Sequence, residues 1–154
     1  MQQLLSFIKE GQLFLIPAAI LIITQVTKVL LELPNRKNFK VSYFAHYGGM
    51  PSSHTALFVS LSTIMLLNYG WHSPYFAIAI IVCMIMVRDA LGIRNHLCNH
   101  GLILKQLIHD LTQRKHTVVK HDKIITNLGH SPWQVFVGAV FGFVFTAIFY
   151  FLLN

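Results

Sequence analysis

Four apolar runs, each about as long as a membrane span, constrain this chain more than any other feature. The first extends from Leu13 to Leu33 and the last from Trp133 to Leu153, close to the ~20 residues that cross a hydrocarbon core. The runs from Ser52 to Tyr69 and from Pro74 to Leu91 are near the lower limit of about 18 residues. The sequence predicts an all-α integral membrane bundle of about four transmembrane helices, with a re-entrant hairpin as the alternative for the middle pair.

The composition agrees with this class of protein. Only 11% of the 154 residues are charged and 55% are apolar, whereas soluble domains carry about 25% charged residues. This argues against a soluble globule and a disordered chain, and two cysteines argue against a disulfide scaffold. The first residues, where Lys9 and Glu10 cancel, are not typical of a cleavable signal peptide. We expect a single domain over residues 1–154.

The net charge of +7 lies in two loops. Residues 34–54 contribute +3, residues 88–130 contribute +4, and the rest of the chain sums to zero. A four-span topology places both loops on one side of the membrane, because the short link at residues 70–73 turns the chain back. The positive-inside rule then predicts that this face is cytoplasmic, most simply in a bacterial inner (plasma) membrane.

The polar segment from Asn95 to His130 predicts an amphipathic helix. Its apolar residues recur at helical spacing: Leu97, Leu104, Leu107, Ile108 and Leu111. Such a helix either lies at the membrane interface or forms a small extramembrane cap. His96 and His100 also stand one helical turn apart, a spacing that can hold a metal ion, although solvated imidazoles are the simpler interpretation.

The second span is preceded by the sequence GGMPSSHT at residues 48–55. Proline and serine are favoured at the start of a helix, and the N–H groups and dipole there attract anions. Ser52, Ser53 and His54 add two hydroxyls and an imidazole at that point. The segment therefore predicts either an anion site or a simple serine-capped helix with an interfacial histidine.

A similar start precedes the fourth span. Ser131 as N-cap, Pro132 in the first turn and Gln134 three residues after the cap form a predicted capping box. His130 directly precedes it, again either by chance or as part of a site. Further along, Gly138 and Gly142 form a G-x-x-x-G notch, which favours an intrachain helix contact or a dimer seam.

Phosphoryl transfer can use two histidines at helix N-termini near positive charge. His54 and His130 are predicted to lie in this way, on one side of the membrane and within the two basic loops. One imidazole attacks phosphorus and the other protonates the leaving oxygen. Arg94 offers a guanidinium for phosphate. Lys28 lies within the first span, where it either contributes to a site or pairs with Glu32. Asp89 could orient a basic partner or pair with an arginine.

Three segments carry a resemblance to a known family: GGMPSSH at residues 48–54, DALGIR at 89–94 and LGHSP at 128–132. In this order, separated by spans, they resemble the divergent bacterial and plastid branch of the superfamily of type-2 phosphatidic acid phosphatases and vanadium haloperoxidases. The resemblance implies a helical membrane fold related to lipid phosphate phosphatases. It also implies His130 as nucleophile, His54 as general acid and Ser52, Ser53, Arg94 and Lys28 as phosphate-binding residues.

The chain departs from the superfamily pattern at several positions. Gln134 stands where other branches carry the aspartate that orients the nucleophile, and Ile124 where they carry an arginine. Asp89 and Gln134 are therefore predicted supporting residues.

The leading hypothesis is a lipid phosphate phosphatase that forms a phosphohistidine and requires no metal or other cofactor. Its substrate would be like phosphatidate, phosphatidylglycerophosphate or an isoprenyl phosphate. One alternative is a non-catalytic headgroup-binding or scaffold protein, and another is metal handling by the histidine-rich loop. Nucleic acid is not expected as a partner. A homo-oligomer is compatible with the G-x-x-x-G notch.

Overall fold

The computed structural model describes residues 10–32, 49–113 and 131–154, which form helices and short connections without any strand. The helices are α1 (Gln12–Glu32), α2 (Ser53–Tyr69), α3 (Pro74–Leu91), α4 (Ile93–Gln113) and α5 (Pro132–Leu153). The prediction of an all-α fold is confirmed. The four predicted spans correspond to α1, α2, α3 and α5, with boundaries that agree within one residue wherever the chain is described.

Within the described residues, three segments are long and apolar enough to cross a membrane: Gln12–Leu31, Pro74–Gln113 and Pro132–Leu153. The second of these includes both α3 and α4. With 17 residues, α2 is slightly shorter, but it is the central helix and packs against α1, α3 and α5. Large apolar side chains face outward on the other helices, such as Phe14 on α1 and Phe151 on α5, which are 77% and 71% exposed. An apolar exterior of this kind is expected of a protein solvated by lipid.

A polar cluster fixes the direction of three helices at one end of the bundle. Gln12 Nε2 donates to Asn68 Oδ1 at 2.8 Å, and Asn154 Nδ2 donates to Gln12 Oε1 at 3.2 Å. The start of α1 thus lies beside the ends of α2 and α5, so α1 is antiparallel to both, and α2 and α5 are parallel. We call this the Gln12 end and the opposite one the Ser52 end.

Counting residues along the helices from the Gln12 end shows which residues lie at the Ser52 end. Sixteen residues, about 24 Å of helix, separate Gln12 from Lys28, Asn68 from Ser52 and Asn154 from Gly138. Gly138 does lie against Ser52, which confirms the register for two of the three helices. Helix α2 thus runs from one end of the bundle to the other, alongside α1 and α5.

The chain reverses after α2 through a short link at residues 70–73, in which Gly70 has a φ of 77° and Ser73 caps α3. Helix α3 returns to the Ser52 end and stops at Gly92, where the backbone departs from helical angles before α4 begins. The predicted amphipathic helix is therefore present as α4. Within the described chain it packs mainly on α3, and Leu97, Leu104 and Leu107 remain about half exposed.

Candidate functional site

The start of α2 is a buried cluster of hydroxyl groups. Ser52 is the N-cap, and its Oγ accepts hydrogen bonds from the Thr55 N–H at 3.5 Å and from Thr55 Oγ1 at 3.0 Å. Ser52, Ser53 and Thr55 are all at most 5% exposed, and His54 beside them is partly buried. The predicted serine cap is confirmed. The chain enters it through Gly49, with a φ of 88°, and a cis Met50–Pro51 peptide bond.

The start of α5 is the predicted capping box. The Gln134 N–H donates to Ser131 Oγ at 3.3 Å, and Gln134 Oε1 accepts from the Ser131 N–H at 3.0 Å. Pro132 occupies the first turn, where a missing N–H is tolerated. The side-chain oxygen of Gln134 is therefore engaged in holding the end of its own helix.

The two helix starts meet. The backbone N–H of Ser52 donates to the backbone carbonyl of Gln134 at 3.2 Å. One turn further along α5, a Cβ on Gly138 would lie 2.5 Å from the Ser52 carbonyl oxygen, and a Cβ on Gly142 would collide with Ala56. The G-x-x-x-G notch is thus an intrachain contact between α5 and α2, which brings two of the three motif segments together.

Lys28 belongs to the same end of the bundle. Its position on α1 lies sixteen residues from Gln12, which places it at the height of Ser52 and Gly138. The side chain is only 4% exposed. An ammonium group buried at the end of the bundle to which two helix dipoles direct their positive ends favours an anion nearby.

Asp89 and Arg94 flank this region from α3 and α4. Helix α3 packs against α2, and Asp89 lies in its last turn, towards the Ser52 end of the bundle. Asp89 is partly exposed there. Arg94 lies in the first turn of α4; its side chain is outside the described part of the chain.

Other predicted features fall outside the described ranges or remain separate. His130, the predicted nucleophile, precedes the described start at Ser131, so the structure does not place it against His54. His96 and His100 are exposed on α4. The described residues contain no group of three side chains suited to hold a metal ion.

The structure adds neighbours that the sequence did not indicate. Thr55 joins the Ser52 hydroxyl cluster, and Gln25, one turn from Lys28 on α1, has a buried Oε1 without a hydrogen-bond partner. Thr146 Oγ1 donates to Ser60 Oγ at 2.6 Å and so links α5 to the middle of α2. This pair joins residues 86 positions apart, and single serines or threonines within apolar runs carry no signal for it.

This arrangement suits the binding of an anion. Two parallel helices direct their N-terminal ends to one place, and their dipoles sum there. Buried hydroxyls supply hydrogen-bond donors, a buried ammonium supplies charge, and an imidazole lies at the edge. An anionic group held in this way would face the three elements that phosphoryl transfer uses: charge, donors and a proton source.

Comparison with known proteins agrees with these observations. The family model described as "Divergent PAP2 family" matches residues 9–145. The Bacillus subtilis (strain 168) protein named "Uncharacterized membrane protein YuiD" is 31% identical over 139 residues, which cover 84% of this chain and 88% of the relative. No solved structure matches the chain.

Proposed function

Since the chain belongs to the divergent PAP2 family, we propose that it is a membrane phosphatase that hydrolyses a lipid phosphate at the Ser52 end of the bundle. The observation that carries the proposal is the meeting of the α2 and α5 starts through the Ser52–Gln134 hydrogen bond, with Lys28 at the same height. Both predicted catalytic histidines lie within four residues of this contact in the sequence. The α2 start carries His54, and His130 directly precedes the α5 cap.

In the proposed reaction an imidazole nitrogen of His130 attacks phosphorus, and the bond from phosphorus to the lipid oxygen breaks. His54 gives its proton to that leaving oxygen. Water then attacks the phosphohistidine, His54 takes up a proton from it, and inorganic phosphate leaves. The phosphate oxygens would be held by Ser52, Ser53, Arg94 and Lys28, and no step of this reaction uses a metal.

The proposal also includes the orientation of the protein in the membrane. Both basic loops connect to the Ser52 end, because residues 34–48 follow α1 and residues 114–130 precede α5. By the positive-inside rule this end would face the cytoplasm, in a bacterial inner membrane. The lipid phosphate would then be presented from the inner leaflet.

One observation favours a second candidate, a headgroup-binding protein of the same fold without turnover. The side-chain oxygen of Gln134 accepts a hydrogen bond from its own helix cap, and an amide there supplies no charge to an imidazolium. In catalytic triads a buried carboxylate performs that task. Such a protein would keep the anion site formed by the two helix starts but would release no phosphate.

Phosphate release distinguishes the two candidates. Purified protein in phospholipid vesicles is supplied with phosphatidate, phosphatidylglycerophosphate and an isoprenyl phosphate, and free phosphate is measured. The phosphatase proposal expects release that is lost in His54→Ala and His130→Ala but kept in His109→Ala, an exposed histidine on α4. Equal release by all three variants and the unmodified protein overturns the proposal. Saturable lipid phosphate binding without release, unaffected by His130→Ala, establishes the second candidate.

A further inference from the structure

One buried oxygen near the candidate site has no hydrogen-bond partner. The side-chain carbonyl oxygen of Gln25, on α1, is buried and accepts no hydrogen bond within the described part of the chain. Buried polar groups are nearly always paired, because an unpaired acceptor has lost its hydrogen bonds to water. An exception at this place indicates a donor that the chain itself does not supply.

Gln25 is a neighbour of Lys28 on the surface of α1. The two residues are three positions apart, a spacing at which side chains of one helix lie side by side. Long side chains on a helix also extend back over the preceding turn, which carries the Lys28 side chain towards Gln25. Gln25 Oε1 nevertheless accepts no hydrogen bond from this ammonium group. The charge and the acceptor are therefore two separate groups on the α1 side of the candidate site.

The α2 residue at the height of Gln25 is His54. Leu21 on α1 and Phe58 on α2 line the same apolar cavity, so their helix faces are turned towards each other. Gln25 lies four residues after Leu21, and His54 lies four residues before Phe58. Because α1 and α2 are antiparallel, both steps lead one turn towards the Ser52 end and stay on the same helix faces. The register therefore places Gln25 opposite His54.

We propose that Gln25 determines substrate specificity: its carbonyl oxygen accepts a hydrogen bond from a free hydroxyl of the alcohol that the phosphatase reaction releases. The inference rests on the proposed function, in which His54 gives its proton to the leaving oxygen. An acceptor opposite His54 lies on the leaving-group side of phosphorus, so the matching donor is a hydroxyl on the carbon next to the ester carbon. The substrate is then a lipid phosphate with a glycerophosphate headgroup, such as phosphatidylglycerophosphate.

This hydroxyl separates the three substrate types of the proposed function. The headgroup of phosphatidylglycerophosphate keeps a free hydroxyl beside its terminal phosphate ester. In phosphatidate the corresponding oxygen is acylated, and an isoprenyl phosphate has only hydrocarbon at that place. A site with a buried acceptor for a substrate hydroxyl discriminates against analogues that lack the hydroxyl, because they leave the acceptor unpaired.

Two substrates that differ by one hydroxyl test the role of Gln25. Phosphatidylglycerophosphate is compared, in the vesicle assay, with an analogue in which a straight-chain propanediol replaces the headgroup glycerol. We expect kcat/KM to be about tenfold to a hundredfold higher with the hydroxyl, the effect of pairing a buried acceptor. Gln25→Met keeps the length of the side chain without the acceptor and should remove this preference, by lowering kcat/KM for phosphatidylglycerophosphate alone. Val26→Met, at an exposed position of the same helix, is the matched control and should keep the preference.

The comparison of the two substrates in the unmodified protein needs no variant to fold. Equal kcat/KM for both, as expected if water pairs with the acceptor, overturns the role of Gln25 and leaves the phosphatase proposal standing. A preference that Gln25→Met retains overturns it as well. So does an equal loss on both substrates in Gln25→Met, which would show a general role in structure or catalysis.

A binding measurement tests Gln25 even if the protein releases no phosphate. A ligand that binds the folded protein raises its unfolding temperature, so this shift is measured in detergent micelles at increasing mole fractions of each of the two lipids. A larger shift with phosphatidylglycerophosphate, lost in Gln25→Met but kept in Val26→Met, supports the hydroxyl contact although the phosphatase proposal would have failed. Equal shifts with the two lipids overturn the hydroxyl contact.

Discussion

The backbone N–H of Ser52 donates a hydrogen bond to the backbone carbonyl of Gln134 at 3.2 Å, which joins the first turns of two helices 82 residues apart in sequence. The bond uses an N–H that the helix itself leaves without a partner. It can form because the next turn of α5 presents Gly138, which has no side chain, to the Ser52 backbone. The candidate site therefore depends on a small-residue contact that keeps the two helix starts together.

We expect Gly138→Ala to separate these helix starts. The added Cβ would lie 2.5 Å from the Ser52 carbonyl oxygen, and backbone cannot give way as a flexible side chain can. Overpacking of this kind costs about 1–3 kcal/mol, which a thermal unfolding measurement in detergent would detect. Phosphate release should fall with it. Val140→Ile adds the same single carbon to an exposed position of α5 and should change neither quantity; unaltered stability of Gly138→Ala would contradict the close contact.

We expect Gln134→Glu to raise phosphate release. Glutamate can replace glutamine in a capping box and is favoured by the dipole in the first turn of a helix, so the helix start should persist. The new carboxylate would stabilise the charged form of a nucleophilic imidazole, as in catalytic triads. We expect an increase of about tenfold, which corresponds to about 1.4 kcal/mol in the barrier.

The control for this prediction is the double variant Gln134→Glu with His130→Ala. If His130 is the nucleophile, the double variant should release no phosphate in the same vesicle assay. An increase that survives the loss of His130 would show that the carboxylate acts through another group. Unchanged release in Gln134→Glu would show that the neutral amide does not limit turnover.

The sequence predicted the helices well because each property that defines them is local. The apolar runs, Ser52 as a cap and the Ser131–Gln134 capping box could all be identified from neighbouring residues. The depth of Lys28 could be estimated from its distance to the end of its run. These features depend on spacing along a single helix, which the sequence displays directly.

The arrangement of the helices was less accessible. The G-x-x-x-G notch predicted a close contact but not its partner, since Ser52 and Ala56 on α2 carry no complementary signal. The Gln12–Asn68–Asn154 cluster joins residues as far as 142 positions apart, each a single polar residue near the end of an apolar run. Such pairs depend on helix register, which results from packing of the whole bundle.

We expect Lys28→Met to weaken substrate use. Methionine has a similar length and keeps the apolar stem of the side chain while removing the ammonium group. Hydrogen bonds to charged groups contribute about 1.5–3 kcal/mol, so kcat/KM for a lipid phosphate should fall about tenfold to a hundredfold. Lys105→Met, on the exposed surface of α4, is the control and should retain activity. If Lys28→Met left kcat/KM unchanged, the ammonium group would have no part in holding phosphate.

We expect Asn68→Leu to lower stability while leaving catalysis intact. Asn68 Oδ1 accepts from Gln12 Nε2 at 2.8 Å, so leucine would leave a partly buried amide without its partner, at a cost of about 1–3 kcal/mol. The change lies about 24 Å from Ser52 along α2. Thermal unfolding should shift, and kcat/KM should not. A matching loss of kcat/KM below the unfolding temperature would show that the two ends of the bundle are coupled.

The two ends of the bundle should react with reagents on opposite sides of the membrane. Trp71 lies in the link at the Gln12 end and is 70% exposed. Gln113 is exposed at the end of α4, the helix that follows α3 at the Ser52 end. In a protein with Cys83 and Cys98 replaced by alanine, Trp71→Cys and Gln113→Cys can be labelled with a maleimide that does not cross membranes. The basic loops connect to the Ser52 end, and positive charge favours the cytoplasm. The maleimide should therefore label position 71 in intact cells and position 113 only in permeabilised cells. The reverse pattern would place the candidate site on the outer face and would mean that the charge of the loops does not set the orientation of this protein.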